Sequence, residues 1–244
     1  MAFNVSLDLS KGKAATWPYW HIDLNAGCGW NEVVDCEGSP LVFLREAEHA
    51  ERRFNAVFCD LDAEAVRSLE GRLPAAPAGC VVRTFAGDNA DALDAFGNWI
   101  VAAGEKPQYA VGTCLADPNG VRSLPIDGLA RFASAFPRID LIVNLNISLF
   151  SRFRGGRESP ALRGRFDKYP EPLDLLALFH RKHWVVRNLP RGGTGERFTL
   201  AVGRSHRAGS GRHADFYPID SPAGRRILQD FRREIPEQMD LFER

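Results

Sequence analysis

The residues best equipped for chemistry fall at the ends of apolar runs. Asp23, Asn25, Gly27 and Gly29 close the first run in DLNAGCG, Asp60 and Asp62 the second in CDLD, and Asp88 and Asn89 the third in FAGDNAD. Asp117, Pro118 and Asn119 follow a fourth run in LADPNG, and Asn144 and Asn146 lie within a fifth, IDLIVNLN. Glycine turns sharply and lets backbone approach a ligand without a Cβ in the way, so Gly27 and Gly29 predict a loop that lies against something. The loop is locally acidic, with Asp23, Glu32, Asp35 and Glu37 close in sequence and no Lys or Arg after it before Arg45. Neither GxGxxG nor GxxxxGK[ST] occurs, and acid without base suits a cationic or zwitterionic ligand better than a pyrophosphate. A carboxylate ending the second strand can accept from both hydroxyls of a ribose, which fits Asp60, with Asp62 as its competitor. Asp88 can accept from an adenine amino group. It also precedes a helix, where it would serve as an N-cap, and the two roles can coexist.

Strands must place these tips together. The runs at 20–26, 56–62, 80–88, 109–118 and 139–148 are short and nearly continuously apolar, as expected of strands covered on both faces. Between them lie helical stretches: SPLVFLREAEHAERRF, DAEAVRSLEGRL, NADALDAFGNWIVAAG and PIDGLARFASAF. In the second, Ala65, Leu69 and Leu73 share one helix face. Strands alternating with such helices imply right-handed crossovers and a parallel sheet. Further on, a helix is expected around LDLLALFHRK, then two strands, HWVVRNLP and RFTLAVGR, joined as an antiparallel hairpin by the Gly-rich RGGTGE. A last amphipathic helix is expected in DSPAGRRILQDFRREI, from Asp220 or Ser221. The expected architecture is α/β: a Rossmann-like, doubly wound, mostly parallel seven-stranded sheet with a C-terminal antiparallel hairpin. It forms one domain over residues 1–244, with a core at about 18–204 and a helical appendage at about 214–244.

Composition narrows the setting. The 244 residues are 45% hydrophobic and carry zero formal net charge, unevenly spread. Residues 150–213 hold 14 Lys/Arg against 5 Asp/Glu, whereas residues 1–149 hold 12 against 19. No apolar run approaches the roughly 18 residues of a membrane span, and MAFNVSLDLSKGKAA has no signal-peptide core, so a cytoplasmic protein away from the membrane is expected. Five cysteines without a CxxC pair, and histidines at 180, 183, 206 and 213 without zinc spacing, predict neither a disulfide frame nor a metal site. Cys28 and Cys114 are expected to pack rather than react. Arg152, Arg154 and Arg157, with Phe153 interleaved, follow the fifth strand where a substrate would enter. Arginines grip phosphates and phenylalanine stacks on unpaired bases, so nucleic acid is the expected partner, a solvated loop being the alternative.

A glycine loop in acidic surroundings, a ribose carboxylate and an adenine-side Asp together describe a site for S-adenosylmethionine. DLNAGCG resembles the glycine loop of class I methyltransferases, with Asn25 where amino-directed members usually have Phe. The ordered series DLNAGCG, GSPL, CDLD, FAGDNAD, LADPNG and DLIVNLN is most similar to the three-Cys-motif partner protein family, and more distantly to the bacterial methyltransferase of 23S ribosomal RNA adenine. The resemblance implies cofactor contacts at Asp23, Gly27, Gly29, Ser39, Asp60, Asp88 and Asn89, and a reaction centre at Asp117 and Pro118. Their strand-tip neighbours Asn25 and Asp62 are expected on the cofactor side as well, and Asn119 at the reaction centre. Amino-directed relatives carry an aromatic ring after the prolines of the fourth motif. This chain has Asn119-Gly120 there, leaving Trp30, Phe150 or Phe153 to supply a ring. Two functions stand side by side: methyl transfer to a nucleic-acid base nitrogen, and a non-catalytic or differently acting cofactor-binding partner of a three-Cys-motif, iron–sulfur type protein. A nicotinamide enzyme fits less well, because Asp60 comes 31 residues after Gly29 where about 20 are usual.

Overall fold

The structure, a computed structural model, describes residues 18–118, 124–148, 150, 171–188, 198–205 and 215–229. The chain begins with β1 (Tyr19–Asp23), a two-stranded ribbon β2 (Trp30–Asn31) and β3 (Cys36–Glu37), α1 (Ser39–His49), β4 (Phe54–Asp60) and α2 (Ala63–Glu70). It continues with β5 (Val81–Ala86), α3 (Asn89–Ala102), β6 (Gly112–Ala116), α4 (Ile126–Ala135) and β7 (Ile139–Asn146). Then come α5 (Pro172–Ala177), β8 (His183–Asn188), β9 (Phe198–Arg204), β10 (Tyr217–Pro218) and α6 (Pro222–Gln229).

The main sheet has the order β10-β8-β9-β7-β6-β1-β4-β5. β1 lies between β4 and β6, both parallel to it, and the pairs β4/β5 and β6/β7 are parallel as well. The chain therefore winds outward from β1 through β4 to β5, then crosses back to β6 and β7. This is the Rossmann-like order, in which the direction of winding reverses beside the first strand. β9 runs antiparallel to β7 and to β8, as the hairpin reading requires. One expectation is corrected: the sheet has eight strands, not seven. β10 adds two residues antiparallel to the edge of β8, and Pro218, which has no N–H to donate, suits that outer position.

Alternation along the central strands divides the core between the two faces. Trp20 and Ile22 of β1 join Val57 and Cys59 of β4 beneath α3 and α4. Tyr19 of β1 joins Phe54, Ala56 and Phe58 of β4, packing with Phe43 of α1 and Leu69 of α2 on the other face. His21 also turns to that second face: its ring stacks on Phe43 at 3.9 Å and its Nδ1 lies 2.8 Å from Thr113 Oγ1. Leu228 of α6 is buried in the same cluster as Trp20, so the last described helix packs onto the core.

Arg181, 7% exposed, ties α4 to the start of β7. Its Nη1 donates to Ala133 O at 2.7 Å, and its Nη2 to Phe136 O at 3.1 Å and Ile139 O at 2.7 Å. A lysine ammonium lacks the planar fork that reaches several carbonyls at once. Arg181→Lys is expected to cost about 2 kcal/mol by leaving buried carbonyls without donors, read as a lower midpoint in urea denaturation.

Candidate functional site

The described strand tips converge at the C-terminal edge of the sheet, beside the reversal in strand order. β1 is a continuously buried strand, and the chain leaves it through the residues that close the crevice. Asp23, 0% exposed, accepts from Ser39 Oγ at 2.5 Å through Oδ2 and from Asn25 N at 3.0 Å through Oδ1. Ser39 opens α1, where Pro40 suits the first turn. Leu24 N donates to Leu115 O and Ala26 N to Cys59 O, so the loop is laced to both neighbouring strands.

The two glycines of the loop have different tasks. Gly27 has φ +57°, and a Cβ built there would meet nothing within 4 Å, so this part of the backbone faces open space. Gly29 has φ +75°, and its Cβ would lie 2.6 Å from Leu69 Cδ1; it lets the loop settle onto α2. Gly27 N donates to Asp60 Oδ2 at 2.9 Å, joining the tips of β1 and β4. Asp60 O accepts from Gly87 N at 3.0 Å, which brings in the tip of β5.

The two acids of CDLD separate by position. Asp60 is half-buried and reaches the glycine loop, its Oδ1 also accepting from Asp62 N at 3.0 Å. Asp62 is exposed and caps α2 by accepting from Glu64 N at 2.8 Å. Asp88 caps α3 through Ala90 N at 2.7 Å and remains exposed beside the crevice. Asn89 turns inward, 7% exposed, with Cys59 Sγ 3.6 Å from its Oδ1.

At the tip of β6, Asp117 N donates to Asn25 Oδ1 at 3.1 Å, and Asn144 Nδ2 of β7 donates to Asp117 Oδ1 at 2.5 Å. Pro118 is buried beside them. Asn25 thus bridges the β1 loop to the β6 tip, and Asn144 of β7, singled out in the sequence without an assigned role, supports Asp117 from the next strand. The only sequence signal for Asn144 is an amide inside an apolar run. Asn119, Arg152, Phe153, Arg154 and Arg157 lie outside the described residues. Of the other ring candidates, Phe150 is 1% exposed and belongs to the core, while Trp30 is half-buried in β2 with Nε1 donating to Asp35 Oδ1 at 3.2 Å. The ring of Phe150 is therefore not free to stack on a ligand.

Burial governs the electrostatics. It pushes Asp23 up to about 7, with the neighbouring Asp117 and Asp60 charges adding to the rise and the Ser39 and Asn25 hydrogen bonds opposing it. It also raises Asp117, against the stabilising Asn144 N–H. Burial pushes the Cys59 thiol up to about 12 and raises Cys114 as well, so both are held as thiols. Among the described residues no cluster of His, Cys, Asp and Glu is placed to hold a metal, and no helix is long and apolar enough to cross a membrane.

The raised Asp23 makes a prediction. The folded state holds this proton up to about pH 7, whereas the ordinary value is 3.8. Between those values the folded chain binds more protons than the unfolded one, so the stability contributed by protonated Asp23 is lost as pH rises through that window. An asparagine in its place would keep both contacts without the ionisation, its carbonyl accepting from Asn25 N and its amide donating to Ser39 Oγ. In thermal melts, Asp23→Asn and wild type are expected to match near pH 4 and to diverge up to about pH 7, the variant being the more stable at pH 8.

No family model matches the chain, and no curated protein matches it. Among solved structures, protein LPL1258 of Legionella pneumophila, of family DUF519, is similar with a TM-score of 0.56 at 13% identity, over 84% of this chain and 83% of that one. A DUF574 family protein from Streptomyces avermitilis follows with a TM-score of 0.47 at 12% identity, over 81% of this chain and 79% of that one. The O-methyltransferase TomG from Streptomyces achromogenes, solved in complex with S-adenosylmethionine, has a TM-score of 0.43 at 17% identity, over 76% of this chain and 73% of that one. The likeness to LPL1258 is one of fold alone.

Proposed function

We propose that this chain binds S-adenosylmethionine in the crevice at the strand tips and transfers its methyl group to a nitrogen of a nucleic-acid base. The observation that carries this reading is the Gly27 N to Asp60 Oδ2 bond of 2.9 Å. It joins a glycine loop, open on its ligand side, to the carboxylate suited to a ribose, beside the reversal in strand order where such sheets bind ligands. The residues fit the cofactor: Asp60 accepts from ribose hydroxyls, Asp88 from the adenine amino group, and Gly27 gives the amino-acid part room against bare backbone while Gly29 seats the loop on α2. Asp23 and Ser39 hold that loop in shape.

The bound cofactor would supply an electrophilic sulfonium methyl. The protein's share of the work is orientation. Asp117, steadied by Asn25 and Asn144, accepts an N–H of the acceptor so that the nitrogen lone pair is directed inward, while buried Pro118 helps to exclude water. Arg152, Arg154, Arg157 and Phe153 are proposed to grip phosphate and stack on a base. Asn119-Gly120, in place of an aromatic partner, favours a second reading: a non-catalytic cofactor-binding partner of a three-Cys-motif protein.

Calorimetric and thermal-shift titrations with S-adenosylmethionine, S-adenosylhomocysteine and NAD test the pocket. A ligand at 100 times its dissociation constant raises stability by about 2.7 kcal/mol, and a response to NAD alone would overturn the assignment. Incubation with methyl-tritiated cofactor and pools of total RNA and genomic DNA tests the reaction. Binding without label in either pool would favour the partner reading.

A further inference from the structure

An unbroken path of hydrogen bonds crosses the crevice from α1 to β7. Ser39 Oγ donates to Asp23 at 2.5 Å, Asn25 N donates to the other oxygen of Asp23 at 3.0 Å, Asp117 N donates to Asn25 Oδ1 at 3.1 Å, and Asn144 Nδ2 donates to Asp117 Oδ1 at 2.5 Å. The far end of this path is unusual. Asn144 is 8% exposed, and its Oδ1 is buried with no hydrogen-bond partner. An asparagine serving only to brace two strands would find partners for both ends of its amide, because a buried acceptor without a donor is costly. Here one end is spent on a carboxyl at the tip of β6 and the other is left unmet.

We propose that Asn144 and Asn25 are positioning residues for the acceptor side of the crevice. Asn144 fixes the Asp117 carboxyl, Asn25 fixes the Asp117 backbone, and Asp23 ties both to the loop that faces the cofactor. The proposal rests on the methyl-transfer reading; it adds Asn144 to that site and moves Asn25 from the cofactor side, where the sequence reading places it, to the acceptor side, because its Oδ1 is engaged by Asp117 N. A carboxyl free to rotate presents its acceptor oxygen only part of the time, and in a reaction driven by orientation the loss falls on the rate rather than on cofactor affinity. Asn25 has a particular place in this scheme, since an apolar side chain there would leave Asp117 N without its acceptor and cut the path at its middle. The N–H of Asn144 also favours the ionised form of Asp117, against the effect of burial.

The test combines two readouts. Carbon-13 NMR titration of the Asp117 carboxyl is compared in wild type, Asn144→Leu and the milder Asn144→Ser, whose hydroxyl is too short to replace the amide. Loss of the N–H is expected to move the Asp117 midpoint up by about one pH unit in either variant that folds. S-adenosylhomocysteine affinity, by calorimetry, should stay within about threefold of wild type in Asn144→Leu, Asn144→Ser and Asn25→Ala, whereas single-turnover methyl transfer to the total-RNA pool should fall at least about tenfold. Asn25→Asp, which keeps the acceptor for Asp117 N, should recover part of that rate. An unmoved Asp117 midpoint in the Asn144 variants, or wild-type transfer in all of them, would overturn the proposal. If the wild type binds S-adenosylhomocysteine but labels neither pool, the methyl-transfer reading fails instead, and the titration alone decides whether Asn144 holds Asp117.

Discussion

Gly112→Ala is expected to destabilise the fold by at least about 3 kcal/mol and to leave most of the expressed chain insoluble. Gly112 pairs with Trp20 in the parallel register between β6 and β1. A Cβ at position 112 would lie 1.8 Å from Trp20 O and 2.6 Å from Trp20 C. A flexible side chain could swing away from such a contact, but here the obstruction is backbone. It belongs to the central strand, hydrogen-bonded on both sides and fully buried. Relief would require β1 and β6 to part, and these strands carry Asp23 and Asp117 at their tips. The fraction of soluble protein and the urea midpoint followed by circular dichroism check this; a variant melting with wild type would show that β6 can shift without cost.

The second large effect concerns binding. Asp60→Ala is expected to weaken S-adenosylmethionine by about 100- to 1000-fold, because it removes charge-assisted acceptors for the ribose and, with them, the anchor of Gly27 N. Asp62→Ala provides the contrast. Its carboxylate caps α2 from an exposed position, so its loss is expected to cost about 1 kcal/mol of stability and to leave affinity within about threefold. Calorimetry on the two variants separates the acids, and equal losses of affinity would deny Asp60 its special place.

Much of this arrangement can be read in the sequence, for a physical reason. Strands covered on both faces are nearly continuously apolar, as β1, β4 and β6 are, so Asp23, Asp60 and Asp117 stand out where those runs end. β5 departs from that expectation, lying at the sheet edge with none of its residues buried and with Arg83 and Thr84 inside it before Asp88. Other features leave no such trace. β10 is two residues long, and the β2–β3 ribbon pairs only two residues on each side, too few for any periodicity to register. The first helix reads as extending to Phe54 because the apolar pattern does not break, yet the helix ends at His49 and Phe54 begins β4, where its ring fills the core beside Phe43. The supporting asparagines are the harder case. Asn25 and Asn144 are distant in sequence, and only folding brings each against Asp117. Phe150 shows the reverse: an aromatic side chain at a strand tip suggests a stacking platform, but packing takes it into the interior.

The anchoring of Gly27 by Asp60 has a consequence for how a guest is received. Because the loop's unusual backbone is already fixed by a neighbouring carboxylate and by its seat on Leu69, the entropic cost of shaping the cradle falls on folding and not on association. Uptake should then leave loop dynamics nearly unchanged, so that affinity reflects complementarity rather than a disorder-to-order transition.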